Sequence, residues 1–262
     1  MSVRHILPQA SRARAARAGF ALVELMIALV VALFLIAGMM TLFQNVRGTY
    51  AAQTALAALQ DNERLAMTLI ADVVESAGYY PNPASYSPVN ALPASPSFTT
   101  AMTPLVIGGN NTYGDTITVR YAPDATGDMY NCMGGTNAVA PYDTWENTFS
   151  VDPSGNLTCT FWSKKTNQTT AVTLVGHLTN GRNGLPQGMS IKYGLDTLHS
   201  GNGSCVDTYK TEAQMTASDW ANVCSVQITL NFINPLPTAD GRTPTVTFTR
   251  VVAVMNAAGA NT

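Results

Sequence analysis

One apolar segment near the N-terminus constrains the fold of this chain more than any other part of the sequence. Residues 20–43, FALVELMIALVVALFLIAGMMTLF, contain a single charged side chain, Glu24. A helix that rises about 1.5 Å per residue would be roughly 36 Å long here, enough to cross a hydrocarbon layer of about 30 Å. The segment is longer than the apolar region of a secretory signal peptide. We therefore predict a membrane-spanning helix over residues 20–43.

Charged residues are distributed unequally on the two sides of this segment. Four arginines and no acidic residue lie within residues 1–19. Because positive flanks stay in the cytoplasm, we expect a cytoplasmic N-terminus and a larger part of the chain outside. The rest of the chain holds ten basic and sixteen acidic residues, and Lys164 and Lys165 are an isolated basic pair. This balance argues against nucleic-acid binding by the large C-terminal part.

The helical pattern continues beyond the apolar segment and then gives way to strands. Apolar residues recur at three- and four-residue steps from Ala52 to Ala77, and Gly78 followed by prolines ends the pattern. From Ile117 onward the apolar period changes to two, as expected for half-buried antiparallel strands. The predicted strands lie around residues 117–121, 157–161, 172–174, 189–193, 224–232 and 245–249.

These patterns predict an α+β fold in which a long N-terminal helix packs against a C-terminal antiparallel β-sheet domain. The composition, 46% hydrophobic and 11% charged, excludes a disordered chain. The predicted division has residues 1–19 as a leader and 20–43 as the transmembrane half of the helix. Residues 44–78 form its amphipathic half and residues 79–262 form a β-rich head domain.

Four cysteines in the predicted head domain favour two disulfides over free buried thiols. Cys132, Cys159, Cys205 and Cys224 form no CxxC motif and have no histidines at zinc spacing. Three pairings are open on the sequence alone. We favour the neighbouring pairs, Cys132 with Cys159 and Cys205 with Cys224, because each would close a loop rich in Gly and Asn. Disulfides indicate that the head lies in the periplasm or beyond.

Glu24 is the residue that most needs an explanation. A carboxylate in an apolar helix is unfavourable unless a cation pairs with it. If the chain were cut between Gly19 and Phe20, the new amino group of Phe20 would supply that cation, in the same chain or in a neighbour. A tolerated glutamate at the membrane interface is the alternative interpretation.

Gly19, Phe20 and Glu24, followed by this apolar helix, resemble the class III signal of type IV prepilins and pseudopilins. The resemblance implies a pilin-like fold and cleavage after Gly19 by an inner-membrane prepilin peptidase, which also methylates Phe20. It implies that Glu24 pairs with the amine of an adjacent subunit during filament assembly. Before assembly the chain would span the bacterial inner membrane with its head in the periplasm; afterwards it would lie in the pilus, at the tip or base.

Three further features are the stretches LQDNERLAMTLIADVVESAGYY; GLPQGMSIKYGLDT followed by TASDWANVCSVQITLNF; and VTFTRVVAVMN. They resemble the PilW group of minor pilins, whereas residues 81–183 show no such resemblance. The resemblance implies a low-copy subunit of a priming and tip complex for the type IV pilus. Its partners would be other minor pilins, the major pilin and a tip adhesin, and such pili support twitching motility, adhesion and DNA uptake. A minor pseudopilin of a type II secretion system is the alternative, because it shares the leader and the fold.

The sequence indicates neither an enzyme nor a cofactor. His177 and His199 lie in no pattern typical of a catalytic triad, and HExxH, P-loop and GxGxxG motifs do not occur. The loop DTLHSGNGSCVD places Asp196, Asn202 and Asp207 close in sequence, and their oxygens could hold Ca²⁺. Because the loop lacks EF-hand spacing, we favour a solvated, disulfide-pinned loop without metal and keep calcium binding as the alternative.

Overall fold

The computed structural model describes residues 20–198, 205–236 and 245–255. The chain divides into two compact units, and the boundary lies between Gln53 and Thr54. The sequence predicts a leader that ends at residue 19, a transmembrane half of the helix that ends at residue 43 and a head domain that begins after residue 78. These three boundaries stay predictions.

Helix α1 comprises Phe20–Glu75 and continues without interruption through Gly38 and Gly48. It is long and apolar enough to cross a membrane. In the second unit the helix has two different faces, since Asp61, Arg64 and Asp72 are exposed. Its opposite stripe lies in the hydrophobic core and follows the three- and four-residue spacing of an amphipathic helix. The buried residues of this stripe are Leu59, Ala66, Met67, Ile70, Ala71, Val73 and Val74.

A glycine ends the helical segment. Gly78 adopts a φ of +74°, a backbone conformation that is accessible to glycine at little cost. A Cβ atom at this position would lie 2.6 Å from Cδ1 of Leu105. The Gly78 amide donates a hydrogen bond to the carbonyl oxygen of Arg120 (2.9 Å), so the end of the helix is attached to a strand.

The described part of the second unit contains nine strands in two antiparallel sheets. One sheet has the order β1-β2-β3-β4-β5 and the other has the order β7-β6-β8-β9. The strands are β1 (Val106–Asn111), β2 (Gly114–Tyr121), β3 (Trp145–Val151), β4 (Leu157–Ser163), β5 (Gln168–Val175), β6 (Met189–Leu195), β7 (Thr208–Lys210), β8 (Val223–Ile233) and β9 (Thr245–Ala253).

The predicted α+β class is confirmed, and each strand predicted from alternation coincides with a strand of the structure. The structure adds that the strands form two sheets rather than one. The sheets are joined by the Ile191 amide, which donates to Oδ2 of Asp115 (2.7 Å). The Gly188 amide likewise donates to the Tyr113 carbonyl oxygen (2.9 Å). The inner faces of both sheets and the buried stripe of α1 share one hydrophobic core.

A buried arginine organises the segment between α1 and β1, which also contains the short helix α2 (Pro88–Ala91). Nη1 of Arg120 donates to the carbonyl oxygens of Pro93 (3.0 Å) and Thr100 (2.9 Å). The guanidinium lies 4.5 Å from the ring centre of Phe98, a cation–π contact. Burial lowers the pKa of Arg120 to about 10, and the nearby charge of Glu146 opposes that shift. Arg120 therefore holds a segment that has little regular structure of its own.

Both disulfides join neighbouring cysteines along the chain, which is the pairing favoured from the sequence. Cys132 is bonded to Cys159, with 27 residues of sequence separation. Cys205 is bonded to Cys224, with a separation of 19 residues.

Candidate functional site: the exposed apolar surface of α1

The predicted processing and assembly residues lie at the start of α1. Gly19 lies outside the described residues, and Phe20 is the first residue of the helix. Glu24 follows one helical turn later, and its side chain is exposed. No described residue forms a hydrogen bond or an ion pair with the Glu24 carboxylate.

The surface around Glu24 is apolar on every side of the helix. Each large apolar side chain from Leu22 to Phe43 is exposed by at least 52%, and Phe34 is exposed by 77%. An ordinary amphipathic surface helix would bury one stripe and present polar residues on the other. A helix that is apolar all round requires a surrounding apolar medium, which is a bilayer or a bundle of other helices.

A shallow groove extends from Glu24 along one face of the helix. Ala28 and Ala32 follow Glu24 at four-residue steps, so all three residues lie on one face. The small alanine side chains lower the surface beside the carboxylate. The larger groove-lining side chains are Val23, Ile27, Val31 and Leu35. The groove could therefore receive an apolar side chain while a cation approaches Glu24. The sequence analysis missed Ala28 and Ala32, although their spacing from Glu24 is visible in the sequence.

The apolar surface ends at Phe43, where polar side chains begin. Gln44, Asn45 and Arg47 follow it on the same helix. The Arg47 guanidinium lies 5.5 Å from the ring centre of Phe43. A long cationic side chain that lies over an aromatic ring and reaches toward water is typical of a membrane or bundle boundary.

The other residues considered from the sequence do not form a second site in the described part of the chain. Asn202 and His199 lie outside the described residues. Oδ2 of Asp207 accepts the backbone amides of Thr197 (2.9 Å) and Leu198 (2.8 Å), so this carboxylate has a structural role in the loop. Within the described residues, no group of three or more His, Cys, Asp or Glu side chains is placed to hold a metal ion.

His177 is exposed, and its backbone rather than its ring has a defined role. Its φ is +67°. Its carbonyl oxygen accepts the amide of Ile233 (2.8 Å), which connects the turn after β5 to the end of β8. The backbone of His177 therefore has a structural role, because it holds the turn after β5 against the end of β8.

Comparison with solved structures shows a likeness in fold. The chain is similar in fold to a type IV-like pilin from Thermus thermophilus, with a TM-score of 0.43 and 12% sequence identity. The match covers 76% of this chain and 97% of the Thermus chain. No family model matches the sequence, and no curated protein matches it. At this identity and TM-score the likeness carries no argument about function, which rests on the residues described above.

Proposed function

We propose that the protein is a component of a type IV pilus, and specifically a PilW-like minor pilin of a low-copy priming and tip complex. In this proposal it is a structural subunit without catalytic activity or a cofactor. It is held in the inner membrane by α1 until it enters the filament, and its partners there are the major pilin and other minor pilins.

One observation carries the proposal: α1 presents an all-round apolar surface whose single carboxylate, Glu24, lies one turn from its start and has no described partner. In a helix that only anchors a protein in the membrane, a carboxylate surrounded by lipid is unfavourable and contributes no stability. A subunit that leaves the bilayer for a helix bundle does gain from it, because a neighbour's positive group then neutralises Glu24 and fixes the axial register.

The N-terminal part of the sequence would supply such a positive group after processing. Cleavage after Gly19 would leave the amine of Phe20 at the end of the helix, and the resemblance to prepilins implies that this amine is methylated. Partial positive charge of the helix N-terminus adds to the attraction for a carboxylate from a neighbouring helix. The Glu24 groove, lined by Ala28 and Ala32, gives the neighbouring helix close access.

The stretches that resemble PilW-group proteins occupy one connected part of the fold. LQDNERLAMTLIADVVESAGYY covers the end of α1 and the turn at Gly78, and the other stretches cover β6, β8 and β9. Residues 81–183, which resemble no group, contain α2 and the whole five-stranded sheet. This distribution supports a shared framework formed by the end of α1 and three strands of the four-stranded sheet, β6, β8 and β9.

Deletion of the gene tests the proposal. In the deletion strain we expect a strong loss of major pilin in the fraction sheared from the cell surface, restored by a plasmid copy. Unchanged surface pili together with a failure to export secreted enzymes would instead identify a minor pseudopilin of a type II secretion system. Normal pili and normal secretion would overturn both assignments.

A further inference from the structure

The outer edge of β5 is an unprotected strand edge. β5 (Gln168–Val175) pairs with β4 alone, and its residues from Gln168 to Thr173 are all exposed. In the described part of the chain no hydrogen bond reaches the β5 backbone from any other element. An edge strand presents a row of free N–H and C=O groups that another strand can pair with.

The usual devices that block such an edge are absent from most of β5. The strand, QTTAVTLV, has no charged residue and no proline, and six of its eight residues precede the irregular pairing near Leu174. Natural proteins block long edges with charge, proline, bulges or covering elements. An open edge of this length is therefore a surface on which a strand of another chain can pair.

The other three sheet edges in the described residues are protected. β7 has only three residues. β9 carries the exposed charge of Arg250. β1 contains two glycines, and its Asn110 donates to Oε2 of Glu212 in the neighbouring 3₁₀ turn (3.2 Å). Among the described sheet edges, the β5 edge is therefore the one best suited to pair with a strand of another chain.

A fixed pair of positive charges lies at one end of this edge. Lys164 and Lys165 occupy the turn between β4 and β5, and both side chains are exposed. The turn is held in place because the Lys164 amide donates to the Thr144 carbonyl (2.9 Å). The Lys165 amide likewise donates to Oδ1 of Asp143 (3.0 Å). Neither ammonium group forms an ion pair within the part of the chain that the structure describes. A strand added to β5 would lie about 4.8 Å beyond it, within reach of both lysines.

We propose that the β5 edge pairs with an extended segment of another protein. The added strand is antiparallel, as every strand pair of this sheet is, and uncharged along the length of β5. Asp or Glu residues follow its C-terminal end, where they face Lys164 and Lys165. The inference goes beyond the proposed function, since it depends on the sheet alone.

Charge favours a different protein over a second copy of this chain. In an antiparallel pair of two β5 strands, Lys164 and Lys165 of one copy would lie beside the end of β5 in the other copy. The residues that follow Val175 there, GHLTN, include no acidic side chain. A second copy would therefore leave the lysine pair without a complement.

The binding test uses the full-length protein in detergent micelles and a labelled synthetic peptide. The peptide is an alternating Thr and Val strand of the length of β5 with two glutamates at its C-terminus. Matched peptides carry two lysines at the C-terminus, or the glutamates at the N-terminus. We expect the first peptide to bind about tenfold more tightly than either control, because each control reverses or displaces both glutamate–lysine pairs. Its binding should also slow hydrogen exchange at the outward amides of β5. Equal affinities, or no saturable binding, would overturn the proposal.

Variants separate pairing at the edge from nonspecific attraction. Lys164→Glu with Lys165→Glu should invert the preference between glutamate and lysine peptides, whereas Lys192→Glu, an exposed lysine of β6, should leave it unchanged. Ala171→Pro and Val172→Pro differ in effect because N–H groups of an edge strand point outward at alternate residues. The proline that replaces an outward N–H breaks no bond to β4, so that variant should keep the wild-type melting temperature. It should bind the glutamate peptide at least about tenfold more weakly than the wild type does. Wild-type affinity in that variant would contradict the proposal. A dimer of the protein that dissociates in that variant would also contradict it and assign the edge to a second copy.

Discussion

The amide of Gly78 donates a hydrogen bond to the carbonyl oxygen of Arg120, at 2.9 Å. This bond joins the turn after α1 to β2, the second strand of the five-stranded sheet. The same Arg120 uses its side chain to hold Pro93 and Thr100. A single residue therefore fixes the end of the helix through its backbone and the following segment through its guanidinium.

Replacement of Gly78 by alanine should destabilise the head by about 1–2 kcal/mol, because an L residue is strained at positive φ. The added Cβ would also meet the Leu105 side chain at 2.6 Å. The measurement is the free energy of unfolding in urea, followed by near-ultraviolet circular dichroism.

Gly184→Ala is the matched control for this change. Gly184 has a φ of +76°, and a Cβ there would contact nothing within 4 Å. Both variants include the backbone strain, so the difference between them measures the contact with Leu105. Equal losses would show that this contact is relieved by a rotation of the leucine.

Stability should decline in acid partly through Asp219. Hydrogen bonds from Thr216 and the ion pair with Lys210 (2.9 Å) lower the pKa of Asp219 to about 2. Because the folded-state pKa is below its ordinary value of 3.8, the stabilisation is present above that value. It is lost as the pH falls through about 2. We expect Asp219→Asn to melt below the wild type at neutral pH and to converge with it near pH 2.

The comparison needs a carboxyl group without such bonds. Asp61 is exposed on α1, and no described residue forms a hydrogen bond with its side chain. Asp61→Asn should melt at the wild-type temperature at neutral pH, so a loss seen only in Asp219→Asn reports the bonds of Asp219. A constant gap between Asp219→Asn and the wild type down to pH 2 would contradict the ionic explanation.

Each disulfide should contribute about 3 kcal/mol to the free energy of unfolding, mainly because it restricts the unfolded chain. The loops it closes have separations of 27 and 19 residues, so the two contributions should be of similar size. The paired variants Cys132→Ala with Cys159→Ala, and Cys205→Ala with Cys224→Ala, are measured by urea unfolding.

A reductant supplies the control for these variants. With both disulfides reduced, wild type and variants should approach the same stability, apart from the packing of the buried sulfurs. If each variant is less stable than the wild type by the same amount with and without reductant, the difference comes from packing of the sulfurs rather than from restriction of the unfolded chain.

Glu24→Gln should lower the amount of this protein in sheared filaments by about tenfold, the factor that corresponds to about 1.4 kcal/mol. The glutamine keeps the shape and removes the charge that a neighbour's amine would neutralise. Immunoblots of sheared and membrane fractions measure the ratio. Glu75→Gln, an exposed acid at the other end of α1, should leave it unchanged. Normal incorporation of Glu24→Gln would contradict the charge-pairing role.

Strands whose core face is uniformly apolar were predictable from the sequence. β8 shows the clearest alternation, because its buried residues face the core shared with α1. β3 was missed since its core face includes Asn147, whose Oδ1 accepts the Cys132 amide (2.9 Å). Its outer face includes Glu146, which is buried against the Ser97 amide. Partners from distant segments satisfy both side chains, and no local pattern reveals them.

β1 was missed for a different reason. A Cβ at Gly108 would collide with the Tyr193 hydroxyl and would lie 2.8 Å from the Trp220 ring. Glycine is therefore required by side chains from β6 and from the turn before β8, and it removes the alternation that identifies a strand. β7, with three residues, is too short to show any period.

Phe20, Glu24 and the apolar run were predicted to lie on one helix, and the structure places them there. The processing role of Gly19 and Phe20 and the assembly role of Glu24 rest on the resemblance to prepilins and stay predictions. The open edge of β5 was not predictable, since the position of a strand within a sheet depends on pairing that the sequence does not state. For residues 81–183, likewise, the sequence suggested no function, and the proposal of an open edge depends on the five-stranded sheet that they form.

Disulfide closure also determines what a protease could do to the exposed head. A single cut at any bond between Cys132 and Cys159, or between Cys205 and Cys224, would leave both fragments linked through sulfur. A chain nicked inside either loop would keep its covalent continuity from α1 to the last strand. Such damage would be visible on a gel only after reduction.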